Sequence, residues 1–252
     1  MNPRSGSTAS KVPEVVWVFW MIKILATTLG ETGGDALSMS LDLGYLLSTA
    51  IFAALFLLAV FVQIRAAEFH PVIYWVTIIA TTTVGTTLAD FADRSLGIGY
   101  AGGSAILLLL LAATLFMWHR SLGSVSVSSI CSPKAEMFYW TTIMFSQTLG
   151  TALGDWTADS EGLGYASSAL IFGALLALIA ALYFVRRVNR TGLFWAAFIL
   201  TRPLGAVVGD FLDKPLDHGG LALDRFTASG VLIGLIALSL IVFRQRPAPS
   251  TH

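Results

Sequence analysis

Runs of apolar residues alternate with short polar breaks along nearly the whole chain, a pattern that predicts membrane-crossing helices. Eight runs stand out, at Val15–Leu37, Gly44–Ile64, Pro71–Ala92, Gly99–Trp118, Glu136–Thr157, Gly164–Val185, Gly192–Leu212 and Arg225–Phe243. About 20 apolar residues suffice for a helix to cross the hydrocarbon core of a bilayer. The expected fold is therefore an all-α membrane protein with eight transmembrane helices in a pseudo-symmetric bundle, its partner the lipid bilayer. The polar start followed by an apolar run is reminiscent of a signal peptide, but the run carries Glu31 and Asp35 and belongs to an internal repeat, so no cleavage is expected.

The repeat is visible in four ungapped segments: WMIKILATTLGETGGD from Trp20, WVTIIATTTVGTTLAD from Trp75, WTTIMFSQTLGTALGD from Trp140 and WAAFILTRPLGAVVGD from Trp195. Each Trp is followed after ten residues by Gly (Gly30, Gly85, Gly150, Gly205) and five later by Asp (Asp35, Asp90, Asp155, Asp210). Nine residues beyond each Asp another Gly restarts the apolar pattern, followed by Tyr45, Tyr100 and Tyr165 in the first three copies and by Gly220 in the fourth. Each copy reads as two helices and a short loop, so all copies point the same way and are related by an axis along the membrane normal. The expected divisions are an N-terminal tail 1–13, repeats at 14–66 and 67–120, a Ser-rich linker 121–133, repeats at 134–187 and 188–246, and a tail 247–252.

Charge orients this arrangement. The formal net charge is zero, from 15 basic and 15 acidic residues, which excludes a generally basic nucleic-acid binder; no nucleic-acid partner is expected. The termini and the loops between repeats, with Arg4 and Arg186, hold ten Lys/Arg against three acids. The opposite face, with Glu161, holds twelve acids against three bases. By the positive-inside rule both termini are expected in the cytoplasm. Only 12% of residues are charged, against about a quarter in soluble domains. A lone cysteine, Cys131, excludes an intrachain disulfide or cysteine metal cluster.

The candidate chemistry lies on the first helix of each repeat. Steps of four residues give Thr27–Glu31–Asp35, Thr82–Thr86–Asp90, Gln147–Thr151–Asp155 and Arg202–Ala206–Asp210, each on one helix face. Such a stripe should face the bundle interior or a water-filled cavity, since facing lipid costs several kcal/mol. Carboxylates at one depth repel unless cations or protons sit among them. Asp35, Asp90, Asp155, Asp210 and Glu31 are thus the expected ligands of a small cation, with Thr27, Thr82, Thr86, Gln147, Thr151, Arg202 and Lys23 along its path. In a competing structural role, each Asp bonds backbone N–H groups at the start of its following helix. Arg202, ahead of Pro203, pairs with Glu31 or an Asp, or repels a permeating cation. Lys23 is expected to snorkel to the inner interface, and Asp93 and Asp213 to be solvated loop charges.

Gly30/Gly34, Gly85/Ala89, Gly150/Gly154 and Gly205/Gly209 are small residues four apart, the spacing that lets helices approach closely in lipid. The repeat tryptophans are expected at the inner headgroup boundary. No His/Cys cluster, Walker loop, dinucleotide fingerprint, Gly-x-Ser-x-Gly or HExxH motif occurs, and no enzyme activity or cofactor is expected.

The four Trp-started copies with Gly-x-x-x-Gly/Ala-Asp cores resemble a bacterial membrane-protein family built of four tandem two-helix repeats of unknown function, each with a characteristic tryptophan. The resemblance implies a multi-pass protein of the bacterial cytoplasmic membrane and no established activity. The residues themselves favour a transporter or channel for an inorganic cation, divalent such as Mn²⁺ or Mg²⁺ and proton-coupled, the ion bound as cargo. The alternatives are a transporter of a small organic anion using Arg202 and Lys23, and a non-transporting membrane sensor or assembly protein.

Overall fold

The computed structural model describes residues 10–160, 162–185 and 187–249. Arg4, Glu161, Arg186 and the outermost parts of both tails, which enter the expectations above, lie outside the described residues. Among the described residues there are eight long helices and no strand: α1 (Trp17–Asp35), α2 (Gly44–Arg65), α3 (Pro71–Asp90), α4 (Tyr100–Leu122), α5 (Pro133–Asp155), α6 (Gly164–Leu182), α7 (Arg190–Asp213) and α8 (Arg225–Val242). Six of these, α2 to α4 and α6 to α8, are long and apolar enough to cross a membrane. The other two, α1 and α5, carry more polar side chains and bury them, among them Lys23, Glu31, Glu136 and Gln147.

Local chemistry sets the helix ends. Pro71 and Pro133 stand in the first turns of α3 and α5, where a missing N–H costs nothing. Asp224 caps α8, accepting from the Thr227 hydroxyl and the Thr227 N–H, each at 2.8 Å, and these bonds hold its carboxyl below the usual range. In the first three repeats the helix widens into a π-turn just after the recurring Asp, at Ala36–Ser40, Phe91–Ser95 and Trp156–Ser160. The Gly that restarts each pattern then takes a left-handed backbone, with φ of 72°, 77°, 73° and 81° at Gly44, Gly99, Gly164 and Gly219. The aspartates do not cap the following helices: α2, α4 and α6 have no side-chain cap at their N-termini, so the capping expectation is corrected.

The odd helices close into a ring in which α1 packs on α3, α3 on α5, α5 on α7 and α7 on α1. Each even helix lies against the odd helix of the next repeat, α2 on α3, α4 on α5, α6 on α7, and α8 back on α1. The outer helices expose Leu57, Leu109, Leu170 and Ile241, side chains suited to an apolar surrounding.

The ring closes tightly because each stripe residue covers a glycine of the repeat before it. Thr82 lies on Gly30, Gln147 on Gly85, Arg202 on Gly150 and Thr27 on Gly205, leaving no room for a Cβ at Gly30, Gly150 or Gly205 and a tight fit, 3.1 Å from Gln147, at Gly85. One turn outward Thr86 covers Gly34, Ala206 covers Gly154 and Glu31 covers Gly209. The small residues thus permit the close approach expected of them.

At the end carrying the termini, Ser10–Glu14, the linker and the C-terminal tail lie across the ring. Val12 accepts from Ala248 N–H at 2.8 Å, Lys11 N–H donates to Ile130 at 3.3 Å, and the Lys11 ammonium pairs with buried Glu136 at 2.8 Å. The repeat tryptophans belong to this layer of the core. Trp75, Trp140 and Trp195 are buried, with Trp20 half-exposed, so three of the four pack against protein rather than serve as exposed interfacial anchors. They pack between neighbouring repeats, and Trp195 Nε1 donates to Val125 of the linker at 2.9 Å.

Candidate functional site

The polar stripes all turn toward the ring axis and stack in layers one helical turn apart. Nearest the termini is an aromatic layer, Phe19, Tyr74, Tyr139 and Phe194, in which the Tyr74 and Tyr139 hydroxyls share a 2.6 Å hydrogen bond. The next layer is Lys23, Ile78, Ile143 and Phe198, all fully buried. Then come Thr27, Thr82, Gln147 and Arg202; then Glu31, Thr86, Thr151 and Ala206; and finally Asp35, Asp90, Asp155 and Asp210. Every residue in these last three layers is at most 2% exposed.

Arg202 ties the inner helices together. Its Nη2 lies 2.9 Å from Glu31 Oε2 on α1 and donates to the hydroxyls of Thr86 on α3 and Thr151 on α5. The helix α7 continues through Pro203. Lys23 does not snorkel: it is fully buried, with Nζ 4.3 Å above the Phe198 ring, because α1 is an inner helix with no lipid-facing route to the interface. Among the described residues Lys23 Nζ, Thr82 Oγ1, both polar atoms of the Gln147 amide and Arg202 Nε and Nη1 make no hydrogen bond.

The carboxylates converge rather than cap separate hairpins. One oxygen each of Glu31, Asp155 and Asp210 lie within 4.8 Å of one another, as do those of Glu31, Asp35 and Asp90. Glu31 therefore stands among acids from all four repeats.

Cationic side chains of the protein itself moderate their repulsion, in place of the cargo ion or protons expected from sequence. Arg94 joins Asp90 at 3.0 Å to Asp155 at 3.2 Å, across the α3–α5 seam. Lys214 joins Asp210 at 3.1 Å to Asp35, across the α7–α1 seam. Arg225 donates to Asp213 Oδ2 at 3.0 Å and approaches Asp35 at 3.9 Å. Asp213 is 6% exposed, and Asp93 is half-buried, so neither is the solvated loop charge expected of it. Burial opposes the Lys214 ammonium, but Asp210, Asp35 and Asp213 outweigh that penalty and hold it well above the usual lysine range.

Two sets of site residues escaped the sequence reading although they continue the same stripe. One step inward from Lys23 lies the aromatic layer, each member directly before a repeat Trp. One step outward from the aspartates lie Met39, Arg94, Asp159 and Lys214, so repeats two and four carry the bridging cations.

A ring of inner helices jacketed by apolar outer helices, six of the eight fit to cross a membrane, defines an all-helical repeat protein of membrane type. The chain belongs to the family described as Repeat of Unknown Function (DUF347), which matches residues 18–69, 73–124, 138–189 and 193–246. No curated protein and no solved structure matches it.

Proposed function

We propose that this protein is an integral membrane transporter or channel for a small inorganic cation, with a divalent ion such as Mn²⁺ or Mg²⁺ as cargo. All eight helices span the bilayer, in the cytoplasmic membrane of a bacterium, with both termini in the cytoplasm and the acidic mouth outside. The observation that carries this reading is the convergence of carboxylates from all four repeats around Glu31. A buried cluster of this kind holds hard, oxygen-ligated cations, and its donor set of carboxylates and hydroxyls suits Mg²⁺ or Mn²⁺ rather than thiophilic metals.

Charge supports the divalent choice. Six buried carboxylates, Glu31, Asp35, Asp90, Asp155, Asp210 and Asp213, are ion-paired with four cationic side chains, Arg94, Arg202, Lys214 and Arg225, an excess of two negative charges within the cluster, with buried Lys23 further inward and outside these pairs. One divalent ion neutralises that excess; so do two protons, which makes exchange of an ion for protons at Glu31 and the aspartates a balanced cycle. Passage further inward requires the Arg202–Glu31 pair to part and the aromatic layer to open.

A second reading, transport of a small organic anion, is favoured by the unpartnered donors of Lys23, Gln147 and Arg202. Flux in proteoliposomes separates the two. The cation reading expects uptake of Mn²⁺ or Mg²⁺ by the wild type and its loss in Asp35→Asn and Asp155→Asn. Unchanged flux in both variants defeats the site; anion flux abolished by Arg202→Gln, with no cation moving, establishes the second reading instead.

A further inference from the structure

We propose that Lys214 is a tethered occupant of a divalent-cation site at the acidic mouth, formed by Asp35, Asp210 and Asp213, and that an arriving divalent ion displaces its ammonium. The proposal rests on the cation reading of the acidic cluster and adds an outermost site that shares Asp35 and Asp210 with it, brings in Asp213, and has its own regulation.

One oxygen from each of Asp35, Asp210 and Asp213 lies within 4.8 Å of the others, a spacing that a single ion can bridge. The three residues are 1%, 2% and 6% exposed, and among the described residues Oδ1 of Asp35 and of Asp213 accepts no hydrogen bond. A cationic nitrogen already sits there: Lys214 Nζ contacts Asp35 Oδ2 and lies 3.1 Å from Asp210 Oδ1. Lysine presents a compact point charge on a flexible stem, the side chain best suited to stand in for an ion and leave.

The surrounding backbone makes departure a matter of side-chain rotation. Lys214 N–H donates to Asp210 at 2.8 Å, and its carbonyl accepts from Ala222 N–H at 2.9 Å, so the main chain is held while the side chain, 12% exposed, borders the mouth. With Lys214 withdrawn, three carboxylates facing Arg225 leave two negative charges, the complement of one divalent ion. The second bridging cation lacks this setting. Arg94 joins buried Asp90 and Asp155, but its third acid, Asp159, is 40% exposed and 3.9 Å away, and among the described residues no third carboxylate completes that group.

The test is Mn²⁺ binding by the full chain in detergent, read by electron paramagnetic resonance. A site blocked by its own lysine binds more weakly by the fraction of time it is free. Lys214→Met is expected to tighten Mn²⁺ binding about tenfold or more, and Asp213→Asn added to it to remove that gain. In the wild type, Mn²⁺ is expected to raise the rate at which an amine-reactive reagent labels Lys214, read by mass spectrometry; this decides the matter should Lys214→Met fail to fold. Unchanged affinity in folded Lys214→Met, a gain that survives Asp213→Asn, or slower Lys214 labelling with Mn²⁺ overturns the proposal. Absence of flux in every variant, with the Lys214→Met gain intact, would defeat the transport reading and leave the mouth site standing.

Discussion

The guanidinium of Arg202 and the carboxylate of Glu31, 171 residues apart in sequence, meet at 2.9 Å in the centre of the ring, where neither is more than 3% exposed. Removing one partner of a buried pair strands the other charge, at a cost of about 3–5 kcal/mol, whereas replacing both is often neutral. Arg202→Met is therefore expected to lower the thermal unfolding midpoint in detergent sharply. Adding Glu31→Met should recover most of the loss. A double variant as unstable as the single one would show that Arg202 stabilises through Thr86 and Thr151, not through Glu31.

The glycine contacts give a graded prediction. A methyl at Gly205 would meet Thr27, including its backbone carbonyl carbon at 2.8 Å, and backbone cannot swing away. At Gly173 on the outer helix α6 a methyl meets nothing within 4 Å. Gly205→Ala is expected to cost about 1–3 kcal/mol, the range for overpacked interiors. Gly173→Ala should be neutral or slightly stabilising, since alanine is the better helix former. Equal effects at the two sites would remove ring closure as the reason for the repeated glycine.

Much of the site could be read from sequence because the signal recurred: Trp, Gly and Asp at fixed offsets locate one helix face four times, and a polar face on an apolar helix must turn inward. The neighbours of that face were harder. Lys23 and the tryptophans were placed as if every helix met lipid, whereas the closed ring withdraws α1, α3, α5 and α7 behind the outer helices. That closure depends on each even helix crossing to the next repeat, a relation with no mark in local sequence. Arg94 and Lys214 were legible as continuations of the stripe, but they follow the aspartates into what reads as loop, so their role as bridges between repeats needed the fold. Asp213 was judged by its loop-like setting, and only the return of Arg225 beside it buries the carboxylate.

Orientation is open to direct test. With Cys131 replaced by Ser, single cysteines at Arg120 and Asp217 lie at exposed positions on opposite ends of the bundle. A membrane-impermeant maleimide applied to intact bacterial spheroplasts is expected to label Asp217→Cys and not Arg120→Cys, with the reverse in inside-out vesicles. The inverse pattern would turn the acidic mouth to the cytoplasm and reverse the direction from which a cation first meets Lys214. Labelling of both cysteines from one side would contradict a membrane-crossing bundle.

The aromatic layer carries the last prediction, because its four members are all aromatic and it lies between the polar stripe and the termini. Phe19, Tyr74 and Tyr139 are fully buried and Phe194 nearly so, and ring volume rather than charge occupies the axis there. Truncating Tyr139 to Ala removes that volume, at a cost of about 3–5 kcal/mol if nothing collapses to fill it. Tyr139→Phe keeps the ring and loses only the 2.6 Å bond to Tyr74, for about 1 kcal/mol. If the layer is the inner barrier of a cation path, Tyr139→Ala proteoliposomes should show a faster passive ion leak than wild type, while Tyr139→Phe stays tight. A matching leak in both variants would assign the seal to the hydroxyl pair. Tight vesicles from folded Tyr139→Ala would place the barrier further outward, at Lys23 and Phe198, where an ammonium lies 4.3 Å over an aromatic face.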